Sequence, residues 1–350
     1  MERDPHRLLT ALVCVLLLAA CGGPEADPAA EAVARGQADY QVYCAVCHGE
    51  QGEGYAADNA NALAHPAFLA VATDEFLRSA IIRGRPGTPM SAWGVDWGGP
   101  LDDDSADDLV AYLRAYAQGS PLDVHGDVVT GEAARALGTY ETKCSSCHGA
   151  QGEGNTAMSL NNPEFLDTVS DGYLRFAIQA GRVEVGMPAF AQTLTTQAID
   201  DLVVLIRSWA VEPNQVLPDL PVFDPDQVVF QPEGAEAEFT TEDRLVPAAE
   251  IYEQYEAGKA MVLLDARPPA DYSESHIAGA ISIPFYAVEE YVDQLPDDVW
   301  IICYCACPHA ESGLAADALE AAGFTRVKVI DEGVNFWEEQ GYPMSVGPDP

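Results

Sequence analysis

Cys44-Ala45-Val46-Cys47-His48 recurs one hundred positions later as Cys144-Ser145-Ser146-Cys147-His148. Each copy reads Cys-x-x-Cys-His, and the order has a chemical reason. Two residues between the thiols let one short turn reach both vinyl edges of a porphyrin, and the adjacent histidine is then delivered to the iron. A bare Cys-x-x-Cys pair could instead be a redox dithiol or half of a zinc site. Neither use needs the histidine, and two copies in one context favour covalent haem c at both. Cys44, Cys47, Cys144 and Cys147 are then attachment points, and His48 and His148 are iron ligands.

The likeness extends outward from the two motifs. Arg35, Gly36 and Tyr40 precede the first as Arg135, Ala136 and Tyr140 precede the second, and Gly49, Gly52 and Gly54 recur as Gly149, Gly152 and Gly154. Farther on the offset falls to 97: Phe68-Leu69 matches Phe165-Leu166, Gly84-Arg85 matches Gly181-Arg182, and Met90 matches Met187. Each unit closes on an amphipathic helix, with Leu109, Leu113 and Tyr116 on one face in the first and Leu202, Ile206 and Trp209 in the second. Ser105 and the acids around it suit the start of the first of these helices. The offset there drops to 93, so the first unit carries an insertion around Gly94 to Pro100, close to its methionine.

A leading helix, the haem motif, a glycine-rich turn, a late methionine and a closing helix together resemble class I cytochrome c domains, twice over. The resemblance implies two all-α units, spanning 30–120 and 130–211, each binding one covalent haem c. It also implies Met90 and Met187 as sixth iron ligands, and terminal helices that cross at Gly36 and Tyr40 and at Ala136 and Tyr140. Core packing is the other reading of a lone methionine, and the shared place in two repeats favours ligation. Met158 lies close to its motif and is read as packing. His65 and His125 are weaker candidates as ligands.

Residues 212–245 hold Pro213, Pro218, Pro221, Pro225 and Pro232 among many acids without a helical period, and read as an extended linker. From Leu245 strand and helix alternate. Ala260 to Leu264, Val299 to Tyr304 and Val327 to Ile330 read as buried strands, and Ser312 to Ala322 as a helix stopped by Gly323. That alternation predicts a parallel sheet covered by helices, with any site at the C-terminal strand ends, where Asp265 and Cys305 fall.

Through Leu264-Asp265-Ala266-Arg267, His276-Ile277-Ala278-Gly279-Ala280, Tyr304-Cys305 and Asp331-Glu332-Gly333, residues 246–346 resemble a rhodanese domain. The fold class is therefore multidomain: two all-α cytochrome c domains followed by an α/β rhodanese-like domain with a parallel sheet. The resemblance implies Cys305 as the catalytic cysteine that takes up sulfur as a persulfide. The loop departs from the family pattern, being one residue longer and lacking its arginine, and Glu311 weakens its attraction for an anion. Polysulfide is therefore expected as donor over thiosulfate. Cys307 is placed to resolve a persulfide by forming a disulfide, and Cys303 to pack in the core. Cys305, Cys307 and His309 form a weak metal-binding signal.

The chain has 350 residues, and 56 acidic against 17 basic side chains give a formal charge of −39. That balance excludes nucleic acid as a partner, since phosphate binding needs clustered Lys and Arg. At the N-terminus, Arg3 and Arg7 precede an apolar run from Leu8 to Ala20 that suits a secretion signal and is too short for a permanent span. Leu18-Ala19-Ala20-Cys21 resembles the lipobox of bacterial lipoproteins. A signal over 1–20, lipidation at Cys21 and a tether over 21–29 are expected, giving an exported bacterial protein, periplasmic or at the cell surface, membrane-anchored through lipid. The leading functional reading is a dihaem electron carrier with redox-protein partners, linked to sulfur compounds through the third domain. The alternatives are a sulfurtransferase or persulfide-oxidising enzyme centred on Cys305, and a carrier whose rhodanese fold is a degenerate docking module.

Overall fold

The computed structural model describes residues 27–57, 59–306 and 309–350. The expected signal, Cys21 and Cys307 lie outside them. In the first unit α1 (Pro28–Tyr43) starts where Asp27 caps the chain and Pro28 takes a position that needs no amide hydrogen, and it ends at Cys44. The motif itself winds into α2 (Ala45–His48). Then come α3 (Pro66–Leu69), α4 (Asp74–Arg83) and α5 (Asp103–Arg114). Asp102, not Ser105, caps α5: its carboxylate accepts from the Ser105 amide at 2.9 Å, so the helix begins earlier than Ser105 suggested. The second unit repeats the order with α6 (Ala133–Lys143), α7 (Ser145–His148), α8 (Pro163–Thr168), α9 (Asp171–Ala180) and α10 (Thr196–Arg207).

In each unit the first and last helices cross at the expected residues. Gly36 meets α5 so closely that a Cβ there would lie 2.8 Å from the Leu109 nitrogen, and Tyr40 packs on Tyr112 with ring centroids 5.1 Å apart. Ala136 and Tyr140 are buried in the second unit, where Tyr140 meets Trp209 at 5.1 Å. The units also pack on one another. Phe76 lies 6.2 Å from Phe165, Arg83 pairs with the buried Glu164 at 2.7 Å, and Asn162 donates to the Pro86 carbonyl at 2.9 Å.

The third domain is built on a five-stranded, all-parallel sheet in the order β1-β6-β5-β2-β4, from β1 (Leu245–Val246), β2 (Val262–Asp265), β4 (Ile281–Ser282), β5 (Ile301–Tyr304) and β6 (Val327–Ile330). The three longest strands are buried at every position, as strands covered on both faces must be. A separate antiparallel pair joins β3 (His276–Ile277) to β7 (Met344–Ser345). The helices are α11 (Ala248–Glu256), α12 (Pro269–Glu274), α13 (Val288–Tyr291), α14 (Ala310–Ala321) and α15 (Gly333–Glu339). The two-residue strands β1 and β4 were not legible as strands, being too short to show a period.

The proline-rich stretch is irregular apart from a turn of 3-10 helix at Pro225–Gln227, and it straps onto the third domain. Phe223 meets Tyr291 at 4.8 Å, Phe230 stacks on Tyr255 at 4.4 Å and Phe239 meets Trp300 at 5.5 Å. The insertion of the first unit forms a 3-10 turn at Val95–Trp97 and touches the same domain, where a Cβ on Gly98 would sit 2.8 Å from Pro269. Beside it Trp93 packs on Phe285 and Tyr43 on Tyr286. What distinguishes the first unit from the second is thus what joins it to the third domain.

Candidate haem and sulfur sites

The two haem motifs adopt the same local structure. Each histidine ends a single helical turn, and the glycine after it has φ +82°, a conformation open to glycine at little cost. His48 Nδ1 lies 2.8 Å from the Asn61 carbonyl and His148 Nδ1 lies 2.9 Å from the Met158 carbonyl. A carbonyl has no proton to give, so each Nδ1 carries the hydrogen and each Nε2 keeps a lone pair for a metal. Burial pushes both imidazoles below their ordinary pKa, which keeps that lone pair available. Burial also pushes the Cys44 thiol up to about 12 and the Cys144 thiol up to about 11.

A cavity of about 550 Å³ is lined by Cys44, Cys47, His48 and Met90, which brings the four expected residues of the first unit to one chamber. Its size is that of a site for a small molecule or cofactor. Two thiols, an imidazole with its lone pair turned outward and a thioether on one cavity fit a covalently held haem. That group, when bound, would supply reversible one-electron chemistry at its iron, with His48 and Met90 as the residues to hold it. In the second unit Met187 is half-buried and holds the matching place. The Arg182 backbone amide donates to the Met187 carbonyl at 2.8 Å, as the Arg85 backbone amide donates to that of Met90 at 2.7 Å. Met158, read as packing, lines the first unit's cavity and supplies the carbonyl for His148. His65 is engaged elsewhere, with Nε2 3.0 Å from Glu184, and His125 is exposed.

The sulfur site lies at the C-terminal edge of the sheet. β5 ends at Tyr304, Cys305 follows fully buried, and its Sγ lies 3.3 Å from the Ser312 hydroxyl in the first turn of α14. The Val334 amide donates to the Cys305 carbonyl at 2.9 Å, which ties the cysteine to the start of α15. Asp265 and Arg267 form a buried ion pair at the end of β2. Cys303 is buried in the core and burial pushes its thiol far up. Glu311 departs from expectation. It is buried, and burial raises its carboxyl well above the usual range, with the Cys305 and Asp271 charges acting in the same direction. Asp271 is likewise raised by burial, to about 6. Among the described residues no group of three or more His, Cys, Asp or Glu is arranged to hold a metal ion.

The surroundings of Cys305 border the cavity of the first unit. Glu311, Asn335 and Glu339 line the same chamber as Cys44, Cys47, His48 and Met90, and Asn335 donates to the Ala306 carbonyl beside Cys305. Sequence reasoning could not find these neighbours, because the contacts join segments more than two hundred residues apart.

The family described as cytochrome c oxidase, cbb3-type, subunit III matches residues 31–113 and 131–206, and the rhodanese-like domain family matches 247–340. The chain carries two cytochrome c domains followed by a rhodanese-like domain. Among curated proteins it is similar to the cbb3-type cytochrome c oxidase subunit CcoP of Azospirillum, 29% identical over 195 residues that cover 51% of this chain and 62% of that protein. It is also similar to an HTH-type transcriptional regulator of Mycobacterium tuberculosis, 33% identical over 104 residues, covering 29% and 45%. A sulfurtransferase of Allochromatium vinosum is 28% identical over 84 residues, covering 24% and 78%. The chain thus spans 45% and 62% of the length of the regulator and the oxidase subunit. The cytochrome c domains imply haem c and electron transfer.

Proposed function

We propose that this protein is an exported, lipid-anchored carrier with two covalent haems, which moves single electrons between redox proteins and couples them to sulfane sulfur held on Cys305. Cys44, Cys47, His48 and Met90 hold the first haem, and Cys144, Cys147, His148 and Met187 the second. The observation that carries the sulfur link is the shared chamber: Glu311, at the head of the helix whose Ser312 touches Cys305, faces the residues assigned to the first haem. The printed names of the Azospirillum and Allochromatium relatives, an oxidase subunit and a sulfurtransferase, agree with the two halves of this reading. Among the described residues no helix is long and apolar enough to cross a membrane. Attachment is assigned to acyl chains on Cys21, on the strength of Leu18-Ala19-Ala20-Cys21, and more than one chain gives a stable anchor.

In the sulfur step the Cys305 thiolate attacks a terminal sulfur of a polysulfide. One sulfur–sulfur bond forms, another breaks, and a polysulfide shorter by one sulfur leaves, so charge and atoms balance. The test is mass spectrometry of the full chain, with parallel absorbance spectra, before and after polysulfide. One added sulfur on Cys305 of the wild type, absent in Cys305→Ala, is expected. Haem reduction that is equal in Cys305→Ala, with no mass change in the wild type, would favour the degenerate docking module instead.

A further inference from the structure

A chain of polar contacts crosses from one cytochrome unit to the other and ends on both histidines. His48 Nδ1 donates to the Asn61 carbonyl at 2.8 Å, the Asn61 side-chain amide reaches the Met158 thioether at 3.3 Å, and the Met158 carbonyl accepts from His148 Nδ1 at 2.9 Å. Asn61 and Met158 hold the same place in the repeat, at the offset of 97. The backbone of each therefore holds its own unit's histidine, while their side chains meet between the units. The two loops are pinned further by Asn59, whose amide donates to the Asn155 carbonyl at 3.3 Å and the Ala157 carbonyl at 3.1 Å.

We propose that Asn61 and Met158 are positioning residues that couple the two histidines, so that a change in one unit alters the Nδ1 hydrogen bond, and with it the haem potential, of the other. The acceptor on Nδ1 fixes the orientation of a ligating imidazole and its strength as a donor to the metal, and hydrogen bonding around a haem ligand tunes its potential. A thioether is a weak acceptor, so this contact contributes little to holding the units together. That work falls to Arg83–Glu164, Asn162–Pro86 and the Phe76 cluster. What the contact does is clamp two carbonyls in a fixed relation.

The inference rests on both motifs carrying haem, which a denaturing gel stained for haem checks separately: a missing haem overturns that reading and not the coupling. On dihaem full-length protein, the probes are a redox titration that resolves each haem and the Nδ1–H proton resonances of His48 and His148 in the reduced state. Met158→Leu, a change in the second unit, should alter the first haem's reduction equilibrium roughly twofold, the low end for one neutral hydrogen bond, or about 18 mV for a one-electron couple. Its His48 Nδ1–H resonance should move while both haems stay low-spin. Asn61→Leu should act on the second haem in the same way. Met158→Gln, which restores an acceptor of similar length, should return the wild-type values, and the double variant should shift no further than either single one. Unchanged potentials in Met158→Leu, equal shifts in the Leu and Gln variants, or additive shifts in the double variant would each overturn the coupling.

Discussion

Replacing Gly36 with alanine sets two effects of opposite sign against each other. Helix propensity alone favours Ala over Gly in the middle of α1 by about 1 kcal/mol. At the crossing with α5, however, the new methyl would lie 2.8 Å from the Leu109 nitrogen and nearer still to the Asp108 carbonyl, well inside the ~3.5 Å of ordinary contact. These are backbone atoms of a helix, which cannot swing aside as a side chain can, so the two helices must part. Parting them loosens the Tyr40–Tyr112 contact and the Arg35–Asp108 pair that flank the crossing. Overpacking costs about 1–3 kcal/mol, and clashes with backbone belong at the upper end. Set against the propensity gain, the net loss is about 2 kcal/mol. The second unit is an internal control, because Ala136 already stands at the matching place with 1% exposure. There the reverse change, Ala136→Gly, should cost about 1 kcal/mol in propensity and a further ~0.8 kcal/mol for the buried methyl. Urea unfolding of the haem-loaded chain, followed by absorbance and far-UV circular dichroism, should show an earlier transition for both variants. A later transition for Gly36→Ala would mean that propensity outweighs packing and that the helices do not cross as closely as described.

Met187→Ala should turn the second haem high-spin, removing about half of the low-spin absorbance, while the first haem's spin state is unchanged; two haems that remain low-spin would reject Met187 as the ligand. A carboxyl whose pKa is raised in the folded chain makes the native state bind the extra proton, so stability falls as pH climbs out of the ordinary carboxylate range. Glu311 is such a group, and Glu311→Gln should match the wild type near pH 5 and be more stable than it near pH 8. Thermal unfolding at the two pH values checks this, and a variant less stable at pH 8 would show that the buried carboxyl is charged and paired. Cys21→Ser should leave the protein unlipidated and partitioning into the aqueous phase of a detergent separation; a variant still in the detergent phase would move the anchor elsewhere.

The haem motifs, the doubled unit and the α/β character of the third domain were readable because each rests on local order. Two thiols and a histidine must be contiguous to reach one macrocycle, a helix face shows its period within a few turns, and a buried strand such as Val262–Asp265 is an unbroken apolar run. The sequence by itself also determined where the first unit departs from the second, since an insertion changes the offset between repeats. It could not say what the insertion is for. Only the fold set Trp93 and Gly98 against Phe285 and Pro269, and so brought Glu311 and Asn335 to the cavity of the first unit. The carbonyls that hold the two histidines were hidden for a different reason. A backbone acceptor leaves no mark on residue identity, so Asn61 and Met158 share a role without sharing a side chain. What the sequence could not show for Glu311 is its burial, which raises its carboxyl pKa. Composition counts every glutamate as an anion, and only packing decides how far burial disfavours the charged form.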